Sequence, residues 1–175
     1  MPFTFLKEIF RDYKVGAITT SSSFVVNKVL SEIRPTDKII VEYGPGDGVV
    51  TRPLLKLLAK DAQLISIEPN INFYKKIKRI RDKRLEVING YAGKTEKKIS
   101  NVDVAISSIP FTLMSKKDRE EIIKFTHKIL KPGGKFIVYQ YSTLVKPILK
   151  KYFKTIETSL EVSNLPPYFF MVAQK

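Results

Sequence analysis

The sequence contains no cysteine and a single histidine among its 175 residues. Without thiols there is neither a disulfide framework nor a thiolate metal site, and a reducing compartment such as the cytoplasm is expected. No apolar run reaches the roughly eighteen residues of a spanning helix, and the opening MPFTFLKEIF lacks the basic start and cleavage site of an export leader. Acids are scarce as well. Seventeen Asp and Glu stand against 31 Lys and Arg, a formal net charge of +14, which favours an anionic partner, either nucleic acid or an anionic lipid surface. No repeat or Pro/Gly/Ser-rich linker divides the chain, so one domain over residues 1–175 is expected.

What is present alternates. Short β-rich runs at Lys38–Tyr43, Gln63–Glu68, Leu85–Asn89, Val102–Ser107 and Lys135–Tyr141 read as buried parallel strands. Helical spacing fills Val50–Lys60, Ile71–Lys83 and Ser115–Leu130; Ser115 is placed to cap its helix, and LKPGG to end it. Two β-like runs at Phe153–Val162 and Tyr168–Gln174 are joined by SNLPP, too tight for a helical crossover, so they are expected to pair antiparallel. The pattern predicts a three-layer α/β sandwich whose sites gather beyond the carboxyl ends of the strands.

Glycine is sparse too, and that makes its placement informative. Of eight glycines, three fall at Gly44, Gly46 and Gly48, in the stretch VEYGPGDGVVT between a strand and a helix. Such a turn either merely joins the two elements or lets backbone approach a ligand at the start of the helix. Glu42 and Asp47 would repel a pyrophosphate but suit a ligand carrying an amine or hydroxyls. Glu68 closes the next apolar run, where a carboxylate either starts a helix in solvent or accepts both hydroxyls of a ribose.

VEYGPGDGVVT, LISIEPN, VINGYAG, VDVAISSIPF and LKPGGKFIVYQYS, in that order, resemble the motif series of class I S-adenosylmethionine-dependent methyltransferases. The resemblance implies a Rossmann-like, seven-stranded, mostly parallel sheet ending in an antiparallel hairpin. It implies S-adenosylmethionine as cofactor, S-adenosylhomocysteine as product, and no metal. Gly44, Pro45, Gly46, Gly48 and Thr51, with Glu42, would form the loop against the methionine part. Glu68, Pro69 and Asn70 would hold the ribose, and Gly90, Tyr91 and Ala92 would border the adenine. Tyr91 stands where many relatives carry an acid.

The finer resemblance is to short bacterial phosphatidylethanolamine N-methyltransferases and, more distantly, to rRNA adenine dimethylases. It rests on VGAITTSS, GPGDGVVT, SSIP and SNLPP. It implies that residues 1–24 form an amphipathic helix and a cofactor lid, with Gly16, Ser21 and Ser22 at the pocket, and that Ser107 lies beside the cofactor. Methyl transfer needs a neutral lone pair held in line with the methyl group, and Ser108, Pro110 and Tyr141 are the residues expected to position it. The activity this implies is N-methylation of an ethanolamine-type phospholipid at the inner membrane face, without an obligate protein partner. The alternatives are an RNA adenine N6-methyltransferase or dimethylase that stacks a base on Phe111, and a cofactor-binding module without turnover. His127 is expected to pack rather than to catalyse.

Overall fold

A computed structural model describes residues 23–94, 98–162 and 167–175. The expected N-terminal lid with Gly16, Ser21 and Ser22 falls outside these residues, as do residues 163–166 of the SNLPP turn. Residues 23 and 24 open helix α1, Ser23–Ser31. It is followed by β1 (Ile39–Tyr43), α2 (Thr51–Leu57), β2 (Gln63–Glu68), α3 (Ile71–Lys78), β3 (Leu85–Asn89) and β4 (Val102–Ser107). A 3-10 turn at Phe111–Leu113 leads to α4 (Lys116–Ile129), β5 (Leu130–Gln140), α5 (Lys146–Tyr152), β6 (Thr155–Glu161) and β7 (Tyr168–Gln174).

The seven strands form one sheet in the order β3-β2-β1-β4-β5-β7-β6. The first five pair in parallel, and β7 runs antiparallel between β5 and β6. This is the expected mostly parallel sheet with its terminal hairpin. Apolar residues cover both faces. Val29, Leu54 and Ile106 pack on one side with α1 and α2, while Ile123, Phe136 and Leu149 pack on the other with α4 and α5. Because strand order reverses between β1 and β4, their carboxyl ends diverge and open the crevice in which ligands of such sheets bind.

At the opposite end, Asp103 ties three strands together. Its Oδ2 accepts the amides of Lys38 and Ile39 at 2.9 and 2.8 Å, and Oδ1 pairs with Lys131. Burial works against the charge, but the Lys131 ammonium and the two amides outweigh it and hold the carboxyl below its ordinary value.

Several boundaries differ from expectation. β3 is a half-exposed edge strand rather than a buried one, because no described strand pairs with its outer side. The helices expected over 50–60 and 71–83 are shorter, ending at Leu57 and Lys78. The α4 helix is capped as expected, since Ser115 Oγ accepts the Asp118 amide at 3.1 Å. LKPGG, however, is strand rather than turn. Leu130 already pairs with Val102, a bulge absorbs the extra residues, and Gly133 and Gly134 bond with Lys175. Gly134 has no room for a side chain, with three backbone oxygens within 3.1 Å of a Cβ built there. Tyr141 lies one residue past the strand. KPILKKY, read only as part of a basic cluster, is a helix that buries Ile148 and Leu149. His127 packs as expected, its ring edge-on to Phe153 at 5.2 Å between centroids.

Candidate active site

The glycine loop leaves β1 with Gly44, Gly46 and Gly48 all at positive φ, a conformation costly for any residue bearing a Cβ. The Gly44 amide donates to Ile67 O of β2 at 3.0 Å, and the Gly48 amide donates to Pro45 O at 2.8 Å. The Ser108 hydroxyl donates to Gly44 O at 2.6 Å, and its amide donates to Tyr43 O at 3.2 Å. The loop and the turn after β4 are therefore one bonded unit. A Cβ at Gly44 would meet Ser108 Oγ at 3.2 Å, whereas one at Gly46 would meet nothing within 4 Å among the described residues. Open space lies over Gly46, where a ligand can approach bare backbone.

Beneath the loop sits Glu42, 3% exposed. Its Oε2 accepts the hydroxyls of Thr51 and of Ser66, the residue opposite it on β2, each at 2.8 Å. The hydroxyls this acid meets are the protein's own, and Thr51 is fully buried; both residues support the loop from below. Burial raises the Glu42 carboxyl to about 7, against the pull of those two hydroxyls and with the help of the neighbouring Glu68 charge.

Glu68 ends β2 at the crevice. Its Oε1 accepts the Asn70 amide at 2.8 Å and its Oε2 the Gly46 amide at 3.2 Å. Burial raises its carboxyl, and the two amides partly offset the effect. Each oxygen keeps a further acceptor site, so the carboxylate can still take ribose hydroxyls. Asn70 caps α3, its Oδ1 accepting the amides of Asn72 and Phe73. Asn89 Nδ2 donates to Glu68 O at 2.8 Å and to Pro69 O at 3.3 Å, and the Gly90 amide also reaches Glu68 O. The β3 exit with Tyr91 and Ala92 is thereby fastened to the acid. Tyr91 is half-buried, which raises its phenol.

Ser107 is fully buried, and its Oγ accepts the Ile109 amide at 3.3 Å. Ser108 and Pro110 lie half-buried on the same turn. Tyr141 stands farther off, two strands from the glycine loop, with its ring stacked on Tyr168 at 4.3 Å and accepting that residue's hydroxyl at 2.7 Å. The structure thus gathers the glycine loop, Glu68, the β3 exit and the Ser107–Pro110 turn around one crevice and leaves Tyr141 at its margin. Phe111, expected to stack a base in the RNA alternative, is instead fully buried in the core, because the 3-10 turn folds its ring inward. Sequence reasoning missed Ser66 and Asn89; the signal for each was a polar side chain inside an otherwise β-rich run.

The donor set fits S-adenosylmethionine: bare backbone at Gly46 and a hydroxyl-accepting acid at Glu68, both beside the switch point between β1 and β4. A methyltransferase domain family matches residues 40–134, more than half of the chain, including the glycine loop, Glu68, the β3 exit and the Ser107–Pro110 turn. The chain belongs to the methyltransferase domain family. Its fold and its S-adenosylmethionine-dependent class are those expected from the motif series. This methyltransferase is 20% identical to an ornithine lipid N-methyltransferase of Singulisphaera acidiphila, over 94% of this chain and 91% of that protein. It is 24% identical to the ubiquinone/menaquinone biosynthesis C-methyltransferase UbiE of Hydrogenovibrio crunogenus, over 70% of this chain but only 49% of that relative's length. Among solved structures, the 1,6-didemethyltoxoflavin-N1-methyltransferase of Burkholderia thailandensis superposes with a TM-score of 0.75 at 12% identity, covering 98% of this chain and 85% of that one. The precorrin-6y C5,15-methyltransferase of Geobacter metallireducens superposes with a TM-score of 0.71 at 17% identity, covering 87% and 88%.

Proposed function

We propose that this methyltransferase transfers methyl groups to the amine of a membrane lipid head group, with an ethanolamine-type phospholipid as the expected acceptor and an ornithine lipid as its nearest chemical alternative. The observation that carries the reading is the near end-to-end match to the ornithine lipid N-methyltransferase. Two physical features support it. Large apolar side chains are exposed at the end of the sheet where the crevice opens: Phe24, Ile71, Tyr141, Leu144, Leu160 and Val162. The net charge of +14 adds attraction to anionic lipid, about 1 kcal/mol for each Lys or Arg close to the surface. Among the described residues, no helix is long and apolar enough to cross a membrane, so the enzyme would work on the lipid from the bilayer surface.

In this reading Gly44, Gly46 and Glu68 hold S-adenosylmethionine, which supplies an electrophilic methyl group on sulfur. The chain's own task is to bind the acceptor amine in its neutral form beside the Ser108–Pro110 turn, where burial favours loss of the amine's proton.

The test is methyl incorporation from labelled donor into vesicles of phosphatidylethanolamine or ornithine lipid, each mixed with an anionic lipid, with RNA as a parallel acceptor. Labelled head group is the expected result; label in RNA alone would overturn the lipid assignment. Glu68→Ala is expected to weaken S-adenosylhomocysteine binding by roughly 1–3 kcal/mol, the cost of losing charge-assisted hydrogen bonds. An unchanged dissociation constant in calorimetry would remove Glu68 from the cofactor site.

A further inference from the structure

Gln140 is the last residue of β5 and is 95% buried, with a relative exposure of 5%. Its Nε2 donates to Ser142 O at 2.7 Å. Since only the amide nitrogen can donate to a carbonyl, that bond settles which end of the carboxamide is which. The other end, Oε1, is buried and has no hydrogen-bond partner among the described residues. Native proteins rarely leave a buried acceptor in that state; where the chain supplies no donor, a water, an ion or a group with a catalytic role supplies it.

The position of Gln140 in the sheet says which ligand. Ser107 at the end of β4 lies opposite Val138 on β5, so Gln140 extends two residues farther, alongside the turn that carries Ser108 and Pro110. That turn is itself bonded to Gly44 of the cofactor loop. The unmet oxygen therefore belongs to the strand flanking the crevice on the side away from Glu68 and the adenine border, where the methyl acceptor must lie.

We propose that Gln140 Oε1 binds the acceptor, taking an N–H of its amine; the assignment rests on the amine reading given above. A carboxamide is too weak a base to remove a proton, so it orients the amine rather than deprotonating it. With one N–H held on Oε1, the nitrogen lone pair is left to point elsewhere. In each transfer the nitrogen forms a new N–C bond as the sulfonium S–C bond breaks, its electron pair staying on sulfur; after the first and second transfers the resulting ammonium releases one N–H proton to water, whereas a third gives a quaternary ammonium with none to release. A primary amine can make this bond, and so can a secondary one. A neutral tertiary amine has no N–H left to give. Gln140 thus favours the first two methyl transfers and does nothing for the third, so the dimethylated head group accumulates.

Gln140→Leu removes the acceptor at nearly constant volume. The expected result has three parts. The melting temperature is unchanged or raised, because a buried unmet acceptor is replaced by an apolar group and half-buried Ser142 can turn to water. S-adenosylhomocysteine binds within twofold of wild type. In phosphatidylethanolamine and ornithine-lipid vesicles, kcat/KM for the first and second transfers falls about tenfold or more, as expected for a lost hydrogen bond to a reacting amine, while the third transfer is unaffected. A melting temperature lowered by several degrees would make the side chain structural and overturn the assignment. Equal slowing of all three transfers, or no slowing, would overturn it too. Wild-type protein that methylates neither head group ends the lipid reading, while the melting comparison still decides whether Oε1 is unmet.

Discussion

The two halves of the crevice are finished to different degrees. At the ends of β1 and β2 the buried carboxylates are bonded by protein: Glu42 Oε2 by the hydroxyls of Thr51 and Ser66, and both oxygens of Glu68 by the amides of Asn70 and Gly46. At the β5-β7-β6 side lie both of the buried side-chain polar atoms that lack a partner among the described residues, Gln140 Oε1 and Thr158 Oγ1. That side also carries exposed Leu144, Leu160 and Val162. The cofactor half is preorganised by the chain itself, whereas the acceptor half contains polar and apolar groups that have no partner among the described residues. Electrostatic preorganisation is worth building where the ligand is always the same. A lipid acceptor brings its own donors and apolar surface.

The sharpest way to break this contrast is to disturb the preorganised half. Gly48 sits at φ +81, and a Cβ there would lie 2.7 Å from Ile77 Cδ1. Gly48→Ala combines left-handed backbone strain with crowding in a packed site, together about 2–4 kcal/mol in denaturant unfolding. Gly46→Ala, at φ +53 with open space around the Cβ, should cost only about 1–2 kcal/mol of stability while filling the space meant for the cofactor. Equal losses at the two positions would mean that the loop is not pinned at Gly48.

Glu42 gives the next effect, seen in pH dependence. Its folded value of about 7 lies above its ordinary value of 4.5, so between these pH values the folded chain holds more protons than the unfolded one. Stability from this group is therefore greatest in acid and falls as pH rises from about 4.5 to 7, by roughly 3 kcal/mol in all. Glu42→Gln keeps an oxygen for both hydroxyls and should lose that slope, apart from the smaller contribution in the same direction from Glu68, whose carboxyl is also raised. Unfolding at pH 5 and pH 8 checks it; parallel curves for both proteins would show that Glu42 is not held in the protonated form.

The same contrast explains what could be read from the sequence. The cofactor half was legible because backbone at positive φ demands glycine, so Gly44, Gly46 and Gly48 mark the loop whatever surrounds them. Glu68 follows because a parallel strand must end at the crevice. The hairpin was legible from the shortness of its turn. The acceptor half carries no such demand. Gln140 is one polar residue at a strand end, and only its burial and its single bond distinguish it from a solvated glutamine. Phe111 shows the converse: an aromatic in the expected place whose ring belongs to the core. α5 was obscured because its apolar residues are few and its lysines many, and burial of Ile148 and Leu149 against the sheet, rather than propensity, holds it.

The smallest effect separates two neighbours in the acceptor half. Tyr141 accepts the hydroxyl of Tyr168 at 2.7 Å, and their rings stack at 4.3 Å. Tyr141→Phe keeps the stack and removes one neutral hydrogen bond, worth about 0.5–1.5 kcal/mol. Because the Tyr141 oxygen already accepts a hydrogen bond from Tyr168, it is a poorer acceptor for a substrate amine than Gln140 Oε1, which accepts none from the described residues. The expected loss in kcat/KM is therefore below tenfold, with no change in the ratio of dimethylated to trimethylated product. A tenfold or larger loss that also shifts this ratio would transfer the amine contact from Gln140 to Tyr141. The acceptor half would then be as preorganised as the cofactor half, through a tyrosine pair rather than through an amide waiting for its donor.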